Sequence, residues 1–466
     1  MPVKEVTILG KACGGLHLGV DQLAMDPVSV ETAGDVGRSF FSDCKNVVVT
    51  DGGKVKRRKG FNRRVQHNVT SFFSDGINTV FTANNILYRM NAAYVITPIR
   101  GSLSSARMSY TSGPAGIYYS NGVQNGIVVA GTGMSAVWSE GTYYGPPTTR
   151  QFSGPPVGTH LCWFRGRMFV AEGKNVWYSE YMSTNLFDME KNLITLDSDC
   201  QGIIGVGDAL FISSATKVYS FVGGAMEEKK EEPGSVFAAI PGTMMLVHAR
   251  GKYSGMAVWA TEQGLVIGAS DGSTLVVSED RFVWGGVTEG WAVCRNGECF
   301  FSLDDNLFFA NFNLDYVPVT KIVKDGIEGF GTFGNYTIGF GSGGIWTYEG
   351  DADISDTFED IDAEFILPST DLGTYNQKRH RAVLVSCKTE GNLLFEVFTG
   401  DGSSVVYNIA AFGNMNPAVL KKTLNREQKS GRFSYKLSNQ NGGDFLIDTI
   451  AVSAVILHNK PSGLGF

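Results

Sequence analysis

The stretches GRMFVAEGKNVWYSE (residues 166–180) and DALFISSATKVYSFVGG (residues 208–224) write one short pattern twice. In the first copy an apolar strand at 168–171 meets the polar turn Glu172-Gly173-Lys174 and returns at 176–179; in the second the strand at 210–213, the turn Ser214-Ala215-Thr216 and the return at 218–222 do the same. Apolar and polar side chains alternating about a tight polar turn predict an antiparallel hairpin with one buried face. A lone hairpin is marginal in water, so its copies must pack on something.

Upstream copies turn near Asn85 and Asn121, and downstream copies near Gln263, Asp305 and Gly343. The seven turns are spaced by about 43 residues on average, which is the chain length that a four-stranded propeller blade needs. The expected fold is all-β: a six- or seven-bladed β-propeller over residues 41–350, followed by a C-terminal β-sandwich platform over 363–466. Neither a WD nor a Gly-His signature occurs, so the period alone separates this reading from an irregular sandwich in which hairpins recur.

Composition bounds the function. With 466 residues, 43% of them hydrophobic, and 58 glycines, the chain is a folded protein that turns often. A formal net charge of −7 argues against a protein that grips nucleic acid over a broad surface. The same mild acidity suits a channel through which DNA slides without sticking. No apolar run approaches the roughly 18 residues of a membrane-spanning segment, and the first fifteen residues lack a signal-peptide core. Synthesis and retention in a cytoplasm, or departure within a larger particle, are expected. The seven cysteines form no CxxC pair. Cys294 and Cys299 flank an Asn-Gly turn that sets them side by side; a disulfide is geometrically allowed, while a reducing cytoplasm favours two thiols.

Residues 1–40 read as an extended arm, with Asp26-Pro27 and a small polar run at 29–37. A strand at 45–50, the turn Asp51-Gly52-Gly53 and a basic return strand follow. Lys54, Lys56, Arg57, Arg58, Lys59, Arg63 and Arg64 are the densest charge in the chain. Two readings fit them: a contact to DNA phosphates, or an edge strand or subunit contact whose lysines block stray pairing. The charged run at 226–235 reads as an exposed loop between blades. Residues 351–362 carry carboxylates and no basic residue; they read as a solvated acidic linker, since the spacing of a calcium loop is absent. Strands are expected at 363–367, 381–388, 392–399, 405–409, 432–437 and 448–457.

Catalytic patterns are scarce. The six histidines form no HExxH, no GxSxG surrounds a serine, and the glycine-rich runs at 202–208 and 331–344 precede no helical pattern. Glu262, Asp280, Asp304 and Asp305 lie near expected turns, where Asp is common, although paired carboxylates also serve glycoside hydrolysis. Tyr143, Tyr144, Trp284 and Trp291 suit either sugar stacking or blade cores. A non-enzymatic protein without cofactor or metal is expected.

Two stretches carry a resemblance: NVVVTDGGKVKRRKGF (46–61), and KRHRAVLVSCKTEGNLLFEVFTGDG (378–402) with GRFSYKLSNQNGGDFLIDTIAV (431–452). Together they resemble the tail nozzle and hub proteins of tailed bacteriophages, virion structural proteins in which a β-propeller accompanies a β-sandwich platform. The resemblance implies a homo-oligomeric ring of six copies in the virion tail, made in the host bacterial cytoplasm. It implies transient DNA passage during ejection and contacts to adaptor proteins and fibres. It carries no catalytic residue; it assigns Gly52 and Gly53 to a turn, Arg432 and Tyr435 to platform packing, and 441–444 to the final turn. A tail-tip or fibre-base protein binding host surface glycans is the alternative.

Overall fold

The computed structural model describes residues 3–10, 12–18, 39–145, 150–223, 237–278, 281, 282, 284–411 and 413–457. Every regular element among them is a strand, and no helix is long and apolar enough to cross a membrane. The chain divides into two compact units that interleave in sequence: residues 1–60, 308–323 and 350–466 form one, and residues 61–307 and 324–349 the other.

The second unit is a series of antiparallel meanders. Residues 69–100, 109–136 and 245–276 each fold into four neighbouring strands in chain order, as do four strands within 160–195, and 202–222 supplies three. Gly290–Arg295 and Glu298–Leu303 begin a sixth meander. The seventh comprises Gly329–Phe333, Tyr336–Gly341 and Gly344–Tyr348, and its fourth strand is Phe61–Val65, brought from the other end of the unit. All seven expected turns fall between paired strands. At the first, Asn84 and Asn85 take φ of 49° and 61°, the left-handed region that asparagine tolerates better than most residues.

The expectation of one buried face fails in the meander interiors. Thr79–Ala83, Gly116–Ser120, Ala209–Ser213 and Ala257–Thr261 are buried at every position, because each sheet packs on a neighbour through both faces. One apolar cluster joins the third meander to the fourth through Phe169 and Leu210; the next joins the fourth to the fifth through Phe211 and Trp259. Another joins the seventh to the first through Phe340 and Phe72. The first strands touch in turn, from Val69–Ser74 through those of the seventh, sixth, fifth, fourth and third meanders to Ser109–Gly113. Ser71 of the first meander also lies 2.8 Å from the Tyr110 hydroxyl of the second.

The other unit holds two facing sheets. One orders Asn414–Thr423, Lys378–Thr389, Phe445–Ile456, Val55–Arg57 and Val47–Val49, with Val3–Leu9 also paired to Phe445–Ile456. The second orders Asp43–Lys45, Glu364–Thr370, Phe433–Asn439, Leu393–Thr399 and Ser404–Ile409. Here burial does alternate, as in Leu393–Thr399 and Phe433–Asn439, so one face is inward. His380 of the first sheet lies fully buried, its Nε2 2.9 Å from the Tyr435 hydroxyl of the second.

Several boundaries differ from expectation. Val3–Leu9 is a paired strand rather than part of an arm, and Cys13–Leu16 pairs with Ser39–Phe41; the expected arm at 26–37 and the loop at 226–235 lie outside the described residues. Residues 41–60 belong with the sandwich, not with the meanders. The acidic run is no plain linker: Asp353–Ile354 pairs with Phe358–Glu359, and Asp353 is buried. Asn414–Thr423 was not expected as a strand.

Candidate functional site

The basic hairpin comes first because the sequence singled it out. Val47–Val49 and Val55–Arg57 close over a turn in which the Thr50 amide donates to Lys54, the Gly53 amide donates to Thr50, and Gly53 takes φ of 73°. Val47, Val49 and Val55 point inward, and Val55 and Lys56 pair with Ile447 and Leu446. Most of the charge is committed within the unit. Arg57 is 2% exposed, with Nη1 donating to the Asp351 carbonyl at 2.6 Å and Nε 3.5 Å from Asp444. Lys54 and Lys56 pair with Asp448 and Asp444.

Arg58 is the most enclosed of the cluster, at 1% exposure. Its Nε donates to Asn46 Oδ1 at 2.8 Å. Its Nη1 donates to the Lys59 carbonyl and Asp353, and its Nη2 to Asp353 and the Val323 carbonyl. A guanidinium has five N–H donors, and these five acceptors match them. The fork grips Asp353 bidentately at 2.7 Å on both arms, the strongest geometry available to such a pair. Three separated chain segments therefore meet at one side chain. As DNA contacts, Arg57 and Arg58 are corrected by their burial, since a phosphate cannot reach them. Arg64, in the meander unit, pairs with Glu349, beside Thr347, and Arg63 there is half-buried; Lys59, in the other unit, is exposed.

A second site was not foreseen. The meander unit holds a cavity of about 570 Å³ lined by residues from the first strand, or its lead-in, of all seven meanders. Arg107, in the lead-in to the second, reaches the sixth. Its Nη2 donates to the Gly290 carbonyl at 2.6 Å, its Nη1 lies 3.6 Å from Glu289, and its guanidinium stacks on the Trp291 ring at 3.6 Å. Gly242 permits this approach, because a Cβ there would stand 1.9 Å from Arg107 Nη2. Burial lowers the Arg107 guanidinium to about 10, opposed by Glu289. Burial, with Arg107 nearby, lowers His160 on the same wall to about 4, so the imidazole is neutral at pH 7. Asp304 accepts bonds from the Thr288 hydroxyl and amide and the Glu289 amide, and so shapes the strand lead-in rather than facing a substrate. The signal available in sequence was thin: an arginine two residues before the polar strand Ser109–Gly113.

The remaining candidates scatter. Glu262 and Asp305 are exposed, Asp280 lies outside the described residues, and Trp284 is buried. Tyr144 is 91% exposed and Tyr143 stacks on Phe152. Cys294 and Cys299 stand directly opposite and are joined by a disulfide, against the expectation of two thiols. The other five cysteines are free and buried.

The chain matches no protein-family model and no curated protein. Among solved structures it is similar to the extracellular domain of BT4673 from B. thetaiotaomicron, at 9% identity and a TM-score of 0.44 over 82% of this chain and 61% of that one. It is similar to PorZ, a surface component of the type-IX secretion system of Porphyromonas gingivalis, at 8% identity and a TM-score of 0.41 over 74% and 46%. BamB from Moraxella catarrhalis matches at 11% identity and a TM-score of 0.37 over 74% and 97%. The chain thus spans less than two thirds of the first two. Likeness at this level carries no inference about its role.

Proposed function

We propose that this protein is a non-enzymatic structural subunit of a tailed-bacteriophage tail, a seven-bladed propeller and a sandwich platform that assemble as a ring for DNA passage. One observation carries the reading. The stretches that resemble nozzle proteins, near residue 50 and beyond residue 378, are neighbours in one sheet: Phe445–Ile456 pairs on one side with Lys378–Thr389 and on the other with Val55–Arg57. A resemblance split across the sequence becomes contiguous in space. The propeller reading is supported by first strands that touch in turn and by the seventh meander's fourth strand, which comes from residues 61–65.

Ring closure needs an interface between copies. The platform offers exposed apolar side chains for one: Val406 and Val419 on edge strands, and Tyr375, 91% exposed. Native mass spectrometry of the protein, alone and with neighbouring virion proteins, tests the proposal. A closed ring of about six copies is expected; a monomer or trimer that never closes in either setting overturns it. The exposed Tyr144 and Tyr181 favour the second reading, glycan binding at a tail tip, which a glycan array tests.

A further inference from the structure

The ring reading makes no use of the cavity lined by the first strands, or their lead-ins, of the seven meanders. Its volume of about 570 Å³ lies within the range of small-molecule sites. Its walls mix aromatic and apolar side chains, Phe72, Tyr110 and Phe330 among them, with polar ones such as Ser109, Thr159 and His160. Arg107 is the one arginine or lysine among them, and Glu289 the one carboxylate.

The state of Arg107 is informative. One arm of its fork is satisfied by the Gly290 carbonyl; the other, Nη1, is buried without a hydrogen bond. Glu289 stands 3.6 Å away, close enough for attraction and too far for a hydrogen bond, and is 65% exposed. Stacking on Trp291 covers one face of the guanidinium and leaves its donors directed along the ring plane. An enclosed, charge-bearing nitrogen with a loosely held, displaceable carboxylate beside it is a receptor for another carboxylate. A cation is repelled by Arg107. A doubly charged phosphate brings a second charge to a site whose lining holds no second arginine or lysine to meet it.

We propose that this cavity binds a small organic monocarboxylate with a flat apolar body, the carboxylate replacing Glu289 at Arg107 and the body packing among the aromatic walls. The proposal is independent of the ring assignment.

Benzoate is the probe, titrated into the full chain while Trp fluorescence is followed, with Trp291→Phe to assign the signal. Saturable binding is expected, with benzylamine giving none. Glu289→Gln removes the competing carboxylate from an exposed position that the fold does not need, so benzoate should bind about tenfold more tightly, the equivalent of ~1.4 kcal/mol. Arg107→Gln should abolish binding. The absence of saturable benzoate binding, equal binding of benzylamine, or an affinity unchanged in Glu289→Gln overturns the proposal. The Glu289 variant keeps the test decisive if Arg107→Gln does not fold.

Discussion

The two units are made of the same material by opposite routes. In the meander unit most strands find a partner a few residues away, as when Leu87 faces Thr82 across the Asn84-Asn85 turn; Phe61–Val65, paired with Gly344–Tyr348, is an exception. In the sandwich the partners are distant: Val3 faces Val455, Lys56 faces Leu446, and Arg58 holds Asp353 across 295 positions. The first derives its order from repetition, each sheet buried between its neighbours. The second derives it from a few long-range junctions, so a single side chain there has more to hold.

That contrast is most directly broken at Arg58. Arg58→Met leaves Asp353 buried without its partner and should cost about 3–5 kcal/mol. Hydrogen exchange should show the loss in 45–57 and 445–456 while 79–90 stays protected. A uniform loss over both units would mean that they unfold as one. Arg58→Met with Asp353→Leu should recover most of the stability, because the orphaned charge is gone.

Acid sharpens the comparison through His380 in the sandwich and His160 in the meanders. Burial first, and then Lys378, lowers His380 to about 4; burial first, and then Arg107, lowers His160 similarly. Above the ordinary value near 6.5 both folded and unfolded chains are neutral at these sites. As pH falls from 6.5 to 4 the unfolded chain takes protons that the folded chain refuses, so stability is lost across that window. For the fully buried His380 the loss approaches roughly 3 kcal/mol. Urea midpoints at pH 7 and 4.5 should converge in His380→Phe for the sandwich and in His160→Gln for the meanders. An imidazole that titrates near 6.5 by NMR removes the effect.

The smallest expected change lies at a local turn. Asn85→Ala places a Cβ-bearing residue with no compensating side-chain amide at φ of 61° and should cost about 1 kcal/mol, whereas Asn85→Gly should cost nothing. Thermal unfolding distinguishes them. A loss as large as that at Arg58 would show that the meanders are no more tolerant than the sandwich.

These distances also explain what the sequence reveals. The seven hairpins and most sandwich strands were legible because turn residues and apolar runs are local signals. Asn414–Thr423 was missed because Pro417, Lys421 and Lys422 give it the look of a loop, as suits a strand at the sheet edge. Val3–Leu9 read as an arm because its partner lies at the far end of the chain. Burial on both faces of the meanders was hidden because hairpin alternation describes one sheet, not its stacking. The basic cluster was visible as charge, but its acceptors, Asp353, Asp444 and Asp448, are remote, so charge alone left a DNA contact and an edge or subunit contact both open. Arg107 carried almost no signal, since its partners belong to another meander.

The interleaving of the units also sets a timetable. A ribosome adding about 5–20 residues per second delivers Asp353 some 15–60 seconds after Arg58. Strand pairing within a hairpin takes microseconds. The meanders can therefore form as they emerge, while the first sixty residues wait with Val47, Val49 and Val55 uncovered. In the cell, those nascent strands are where a chaperone would find this chain.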